Sequence, residues 1–232
     1  MTINNYWPEF WKEHGEITQG LDEQSQVHRT FKKSPISEDI WKETLLDLKN
    51  NITPTLNDNF LELCSGNGLI SRYFSNQVDQ VTAVDVSEHL LAKIDKVQFE
   101  NIQTIAQDIR KLTFPPESFD TIIIYAGIQY FSYSEATSLL SNIFGWLKKG
   151  GKLYIGDIPD IEKRWHFYST EEYQTLYFDN LKKNNSDIIG TWFEKEFMSN
   201  LSKYIGFESC NLIVQGPDFI YSDYRFDMIM RK

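Results

Sequence analysis

Asn59-Phe60-Leu61-Glu62-Leu63-Cys64-Ser65-Gly66-Asn67-Gly68 is the stretch on which the reading of the whole chain turns. Residues 59–64 read as a strand. The two glycines that follow let the backbone turn tightly and let a ligand approach without a Cβ in the way. Working outward, residues 80–85, 102–106, 119–125 and 152–156 predict four more strands, the fourth rich in β-branched side chains. Helical segments fall between them, clearest at 134–147. Lys148-Lys149-Gly150-Gly151 then reads as a helix stop with a tight turn into the fifth strand. Strands alternating with helices predict a parallel sheet covered on both faces.

The flanks add elements of a different kind. Trp7, Phe10, Trp11 and His14 recur at helical spacing and predict one aromatic helix face. Ser37 reads as the N-cap of a helix carrying Ile40, Trp41, Thr44, Leu45 and Leu48, which ends before Pro54. After Asp157 come a loop with Trp165, His166, Phe167 and Tyr168, an Asn-rich stretch near Asn184, and a helix over 193–204. Two last strands at 207–214 and 223–230 are separated by Gly216-Pro217. The expected organisation is a lid over 1–35 and one domain over 36–232, with a cap over about 157–191.

Composition narrows the partners. With 232 residues the chain suits a single sizeable core. Its net charge of −10 and lack of a dense Lys/Arg run weigh against nucleic acid, which requires a basic footprint. The pairs Lys32-Lys33, Lys148-Lys149 and Lys182-Lys183 read as solvated surface. Cys64 and Cys210 form no metal-ligand spacing, so no metal is expected. The start lacks a basic, then apolar, leader, and the longest apolar run, 121–128, is too short to span a bilayer. A cytoplasmic protein without membrane contact, monomeric or homodimeric, is the expectation.

The stretch 60–68 resembles the first motif of the class I S-adenosylmethionine-dependent methyltransferases, an acidic residue followed by a glycine-rich GxGxG loop. Cys64 stands where the first glycine is usual, and reads either as a small buried residue or as a nucleophile. The competing nicotinamide fingerprint needs a third glycine three positions after the second; that position is Leu69 or Ser71, depending on the starting residue. Asp85 ends the second strand 17 residues beyond Gly68, where a carboxylate can accept both ribose hydroxyls; taken alone, it also reads as a helix N-cap. The resemblance covers 59–156 closely. It implies a Rossmann-like α/β fold: a seven-stranded, mostly parallel sheet with helices on both faces, the last strand antiparallel at its edge, and an N-terminal helical lid. It also implies S-adenosylmethionine as cofactor, held by Glu62, Cys64, Gly66, Gly68, Asp85, Val86, Asp108, Ile109 and Tyr125. In the family the residue matching Glu62 lies near the positive end of the cofactor, and the one matching Asp108 bonds the adenine amino group. The Asp/Asn-Pro-Pro-aromatic motif of DNA-base amino-methyltransferases is absent after the fourth strand.

The methyl acceptor is less constrained. A hydroxyl acceptor needs a base, whereas an amine needs only to be neutral. His166, His28 and Gln129 are the candidates to serve or orient the acceptor, with His14, Asp157, Tyr130 and Arg225 behind them; His89 reads as surface. Segments 26–30 with 35–37, and 224–227, are similar to bacterial methyltransferases linked to sugar or surface-polysaccharide synthesis. The leading expectation is methyl transfer to an O or N atom of a small polar metabolite, such as a sugar or sugar nucleotide. The alternatives are a protein or RNA methyltransferase and a non-enzymatic interaction module of the same fold.

Overall fold

Consecutive apolar residues in the central strand point to opposite faces, so that strand needs cover on both sides. The computed structural model, which describes residues 6–31, 34–183 and 187–232, provides that cover. The sheet strands are β1 (Asn59–Leu63), β2 (Gln80–Asp85), β3 (Ile102–Ala106), β4 (Phe119–Tyr125), β5 (Leu147–Pro159), β6 (Ser209–Ile213) and β7 (Arg225–Arg231). Their spatial order is 3-2-1-4-5-7-6. β1 to β5 run parallel, and β7 is antiparallel to both of its neighbours. The last strand is thus antiparallel as expected, but it lies between β5 and β6 and β6 forms the edge. That arrangement follows from burial: six of the seven β7 residues are buried, whereas β6 is half exposed.

On one face Leu61, Leu63, Ile122, Ile124, Leu153 and Ile155 pack beneath α6 (Tyr133–Trp146) and α9 (Lys195–Ile205). On the other, Phe60, Ile123 and Tyr154 pack beneath α3 (Glu38–Ile52) and α4 (Leu69–Phe74). α3 begins at Ser37, whose side chain accepts from the Ile40 N–H, and Trp41, Leu45 and Leu48 are buried. α6 begins with a capping box between Ser132 and Glu135. The N-terminal aromatics lie on α1 (Tyr6–Ile17), which packs on α5 (Glu88–Leu91). The Glu23–Gln26 turn, α2, and a two-residue hairpin pairing Thr30–Phe31 with Ser34–Pro35 lead from α1 to α3.

Two local expectations need correction. The Lys148-to-Gly151 stretch is not a helix stop before a strand; Leu147 already pairs with Phe119, and β5 runs on through a register shift, with Gly150 in the left-handed region. Residues 164–167 form a helical turn, α7 (Arg164–Phe167), followed by α8 (Glu171–Lys182). Tyr168, Tyr177 and Trp192 give this region a small core of its own, which is why it holds a helix rather than a loop. The Lys32-Lys33 pair and the Asn184 stretch lie outside the described residues. Among the described residues no helix is long and apolar enough to cross a membrane.

Ile122 and Ile123 are adjacent, fully buried, and belong to opposite cores. Replacing either with Ala is expected to cost about 2–5 kcal/mol of stability, measured by urea unfolding. A cost below about 1 kcal/mol for one of them would mean that its face is not covered.

Candidate functional site

Where β1 and β4 lie side by side, their connections depart to opposite edges of the sheet. Ligands of open α/β sheets collect at the carboxyl ends of the strands at such a point. A cleft of about 860 Å³, counting the space open to solvent, lies there. The turn after β1 forms its floor. Gly66 has φ 54° and Gly68 φ 76°, the left-handed region that glycine enters without penalty. A Cβ on Gly66 would also meet Val27 at 2.7 Å, and one on Gly68 would meet Ile94 at 2.5 Å. Cys64 holds φ 58° with a side chain, a strain of roughly 1–2 kcal/mol. Its thiol packs against Gly127, and burial, then Asp85 and Asp108, push it well above its usual range. A thiol held neutral in this way is a packing group, which removes the nucleophile alternative.

Asp85 ties the loop to the tip of β2. One carboxylate oxygen accepts the Gly66 N–H at 2.8 Å and the other accepts the Ser87 N–H at 2.9 Å. Ser87, not Asp85, caps α5. Asp85 is buried, which raises its pKa against the pull of those backbone donors. Glu62 lies on the α4 face, accepts the Ser71 N–H at 2.8 Å and the Ser71 hydroxyl, and is pushed up to about 7 by burial. Ser65 Oγ, in the cleft lining, is buried without a hydrogen-bond partner.

Glu62, Cys64, Gly66, Asp85, Val86, Asp108, Ile109 and Tyr125 all line the cleft, and Gly68 stands just behind as the N-cap of α4. Asp108 differs from the expectation in one respect. Its carboxylate is held by the Arg110 guanidinium, with Arg110 Nη2 at 2.7 Å, and Arg110 also reaches Glu135 at 3.0 Å. Burial works to raise the Asp108 carboxyl, but the Arg110 contacts outweigh it and its pKa is lowered.

Trp7, Pro8, Trp11, Val27 and Arg29 close one side of the cleft, with Trp41 of α3. Sequence reasoning did not single out Arg29. Its guanidinium sits 4.3 Å from the Tyr125 ring centre and 4.8 Å from that of Trp41, and lies 3.6 Å from Asp157. It also lines a second cavity of about 260 Å³ together with Tyr125, Asp157 and Tyr221.

The acceptor candidates are scattered. His166 is exposed on α7, its Nδ1 3.1 Å from the Asp223 carbonyl, and does not line the cleft. Nor do the described residues between 157 and 191 contribute to its lining. His28 is open on one side, while Phe10, Trp11 and His14 surround the rest of its ring. Loss of solvent, then His14, lower it to about 4. Gln129 is buried, donates to the Ala126 carbonyl at 2.8 Å, and does not line the cleft. Among the described residues no group of His, Cys, Asp and Glu could hold a metal ion.

Residues 60–151 match the family described as "Methyltransferase domain". The chain is 26% identical over 195 residues to the ubiquinone/menaquinone biosynthesis C-methyltransferase UbiE of Wigglesworthia glossinidia brevipalpis, covering 80% of this chain and 74% of that one. Among solved structures it resembles DhpI in complex with SAM and HEP, with a TM-score of 0.65, 14% identity, and 97% and 94% of the two chains covered. It also resembles Haemonchus contortus phosphoethanolamine N-methyltransferase 1, with a TM-score of 0.63, 13% identity, and 97% and 48% covered. Over residues 60–151 the chain thus matches a methyltransferase family, and its fold is that of the class I S-adenosylmethionine-dependent methyltransferases. It is an enzyme whose cofactor is S-adenosylmethionine, and the buried carboxylates, the Gly66 cradle and the orphaned Ser65 hydroxyl suit that group.

Unfolded, the Glu62 carboxyl titrates near 4.5, against about 7 in the fold. The folded chain therefore carries an extra proton between those values. The stability this confers is full below pH 4.5 and is lost as pH rises through 7, about 3 kcal/mol in all. Because His28, lowered to about 4, acts in the opposite sense over much of the same range, the effect is read as the difference in urea stability between wild type and Glu62→Gln, which is expected to fall across that window. An unchanged slope in the variant would contradict the assignment.

Proposed function

We propose that this methyltransferase acts on a small polar metabolite, transferring the methyl group to an O or N atom. The observation that carries this reading is the cover over the cleft. Trp7, Trp11, Val27 and Arg29 lie across the strand ends, leaving an aromatic-walled cavity rather than an open basic groove. A sugar or sugar nucleotide fits that description. The solved neighbour from Haemonchus contortus holds phosphoethanolamine, itself a small polar molecule. A carbon acceptor is the second reading, favoured by the C-methyltransferase activity named for the UbiE relative.

S-adenosylmethionine supplies an electrophilic methyl on a sulfonium. Asp85 holds the ribose through the lone pairs left free by Gly66 and Ser87, and Val86 and Ile109 flank the adenine. Asp108, fixed by Arg110, reaches the adenine amino group. Glu62 takes the ammonium of the methionine part and Arg29 its carboxylate, with Gly66, Gly68, Cys64 and Tyr125 shaping the surrounding wall. Three carboxylates against two guanidiniums favour a cationic ligand. The segment 1–35 works as a lid that excludes water, and 157–191 caps the acceptor side. His166 is set aside as a base because it faces solvent; His28 and Gln129 flank the lid and the β4 end as orienting groups. The enzyme works in the cytoplasm, as a monomer or homodimer.

The test is a metabolite screen with S-adenosylmethionine, read by mass spectrometry for a methylated product. Methylation of a sugar-type or other small polar acceptor is expected, whereas methylation of protein or RNA alone would overturn the reading. Arg29→Met is expected to weaken S-adenosylhomocysteine binding by about tenfold, the loss of a charged hydrogen bond. Ionised Glu62 holds the ammonium, so affinity is expected to rise with pH through about 7. Calorimetry showing wild-type affinity in the variant and no pH dependence would contradict both assignments.

A further inference from the structure

Arg225 opens β7 opposite Pro159 of β5, at the end of the sheet that carries the cofactor cleft. It is 8% exposed, and its Nη1 donates to the Asp157 carbonyl at 2.6 Å. Its Nε is buried with no acceptor. No ion pair reaches its guanidinium among the described residues, unlike Arg110, Arg29 and Lys195. Instead its charge rests on two tyrosine rings, Tyr221 at 5.2 Å and Tyr224 at 5.6 Å. Burial works against the charge and is the largest single effect, but Asp157 and the neighbouring tyrosines together outweigh it, and Arg225 stays a cation.

A buried cation without a paired anion is costly, and aromatic faces offset the cost only in part. The carboxylates nearby face other groups. Asp157 accepts from Gln215 on one oxygen, and its other oxygen, without a hydrogen-bond partner, lies 3.6 Å from Arg29; Asp227 accepts from Tyr154, Gln215 and the Asp157 N–H. Pinning the left-handed turn at Asp157 needs only one neutral donor to its carbonyl, which a glutamine also supplies. The unfilled donor edge and the charge are left over from that role. Tyr130 joins the residue to the chemistry: it feels the Arg225 charge, and it lines the cofactor cleft.

We propose that Arg225 is the anion anchor of the acceptor site, and that the methyl acceptor carries a carboxylate or phosphoryl group. The planar fork of a guanidinium matches both groups. The anion enters past Tyr130 and the rings of Tyr221 and Tyr224, the last two of which cover the guanidinium in the ligand-free protein, and the reacting atom then faces the cleft. This proposal rests on the small-molecule reading above and narrows its substrate class.

The probes are sodium acetate and methylphosphonate, titrated at constant ionic strength into the protein saturated with S-adenosylhomocysteine. Saturable binding of at least one probe is expected, and the tighter of the two distinguishes carboxylate from phosphoryl. Arg225→Gln is expected to weaken that binding by about tenfold or more while leaving S-adenosylhomocysteine affinity in place. Arg225→Lys keeps a charge and serves where the glutamine variant does not fold; it is expected to bind the probe more weakly than wild type. Wild type that holds S-adenosylhomocysteine but neither anion, or variants that bind the anions undiminished, overturn the anchor alone. Wild type that fails to hold S-adenosylhomocysteine overturns the functional reading beneath it as well.

Discussion

The site depends on one carboxylate with two backbone partners. Asp85 accepts the N–H of Gly66 from the loop after β1 and the N–H of Ser87 from the start of α5. Those groups belong to neighbouring strands that carry no covalent link at this end of the sheet. A buried carboxylate bonded on both oxygens fixes the loop against the β2 tip and holds the left-handed turn at Gly66. The floor of the cleft is therefore in place before any ligand arrives, which is how binding energy avoids being consumed in ordering a loop.

Around that anchor the charges are arranged unevenly. Glu62 and Asp85 are buried, and burial raises both carboxyls. A cationic ligand relieves their cost, because its charge replaces the solvent they have lost. The substrate form of the cofactor carries a sulfonium and the product form does not. A site with more carboxylates than guanidiniums therefore discriminates between them in the direction that helps product leave. Farther along the strand ends the sign reverses, with Arg29 and Arg225 on either side of Asp157. Tyr125, whose ring carries Arg29, lines both the cleft and the smaller cavity beside it.

Much of this was legible in the chain itself, because the decisive chemistry is local. Gly66 and Gly68 mark a left-handed turn that few other residues allow, and Asp85 ends a strand at a readable distance. The five parallel strands announce themselves by apolar runs between helices. Arg29 was not legible, since its position depends on Trp41 and Tyr125 from elements far along the chain. The early start of β5 was hidden by Gly150-Gly151, which reads as a break but here forms a kink within a paired strand. His166 looked chemical by its aromatic neighbours, yet α7 turns it to solvent. Side chains acting through tertiary contacts leave no periodic signal, and Arg29 and Arg225 are both held by such contacts.

The central claim is that the Asp85-anchored cleft is the cofactor site. Calorimetric titration of S-adenosylhomocysteine into the wild type and into Asp85→Ala tests it most directly, with the fold of both checked by circular dichroism. Saturable binding by the wild type that falls below detection in a folded Asp85→Ala is expected. Binding of equal strength in both proteins, or none in the folded wild type, would contradict it.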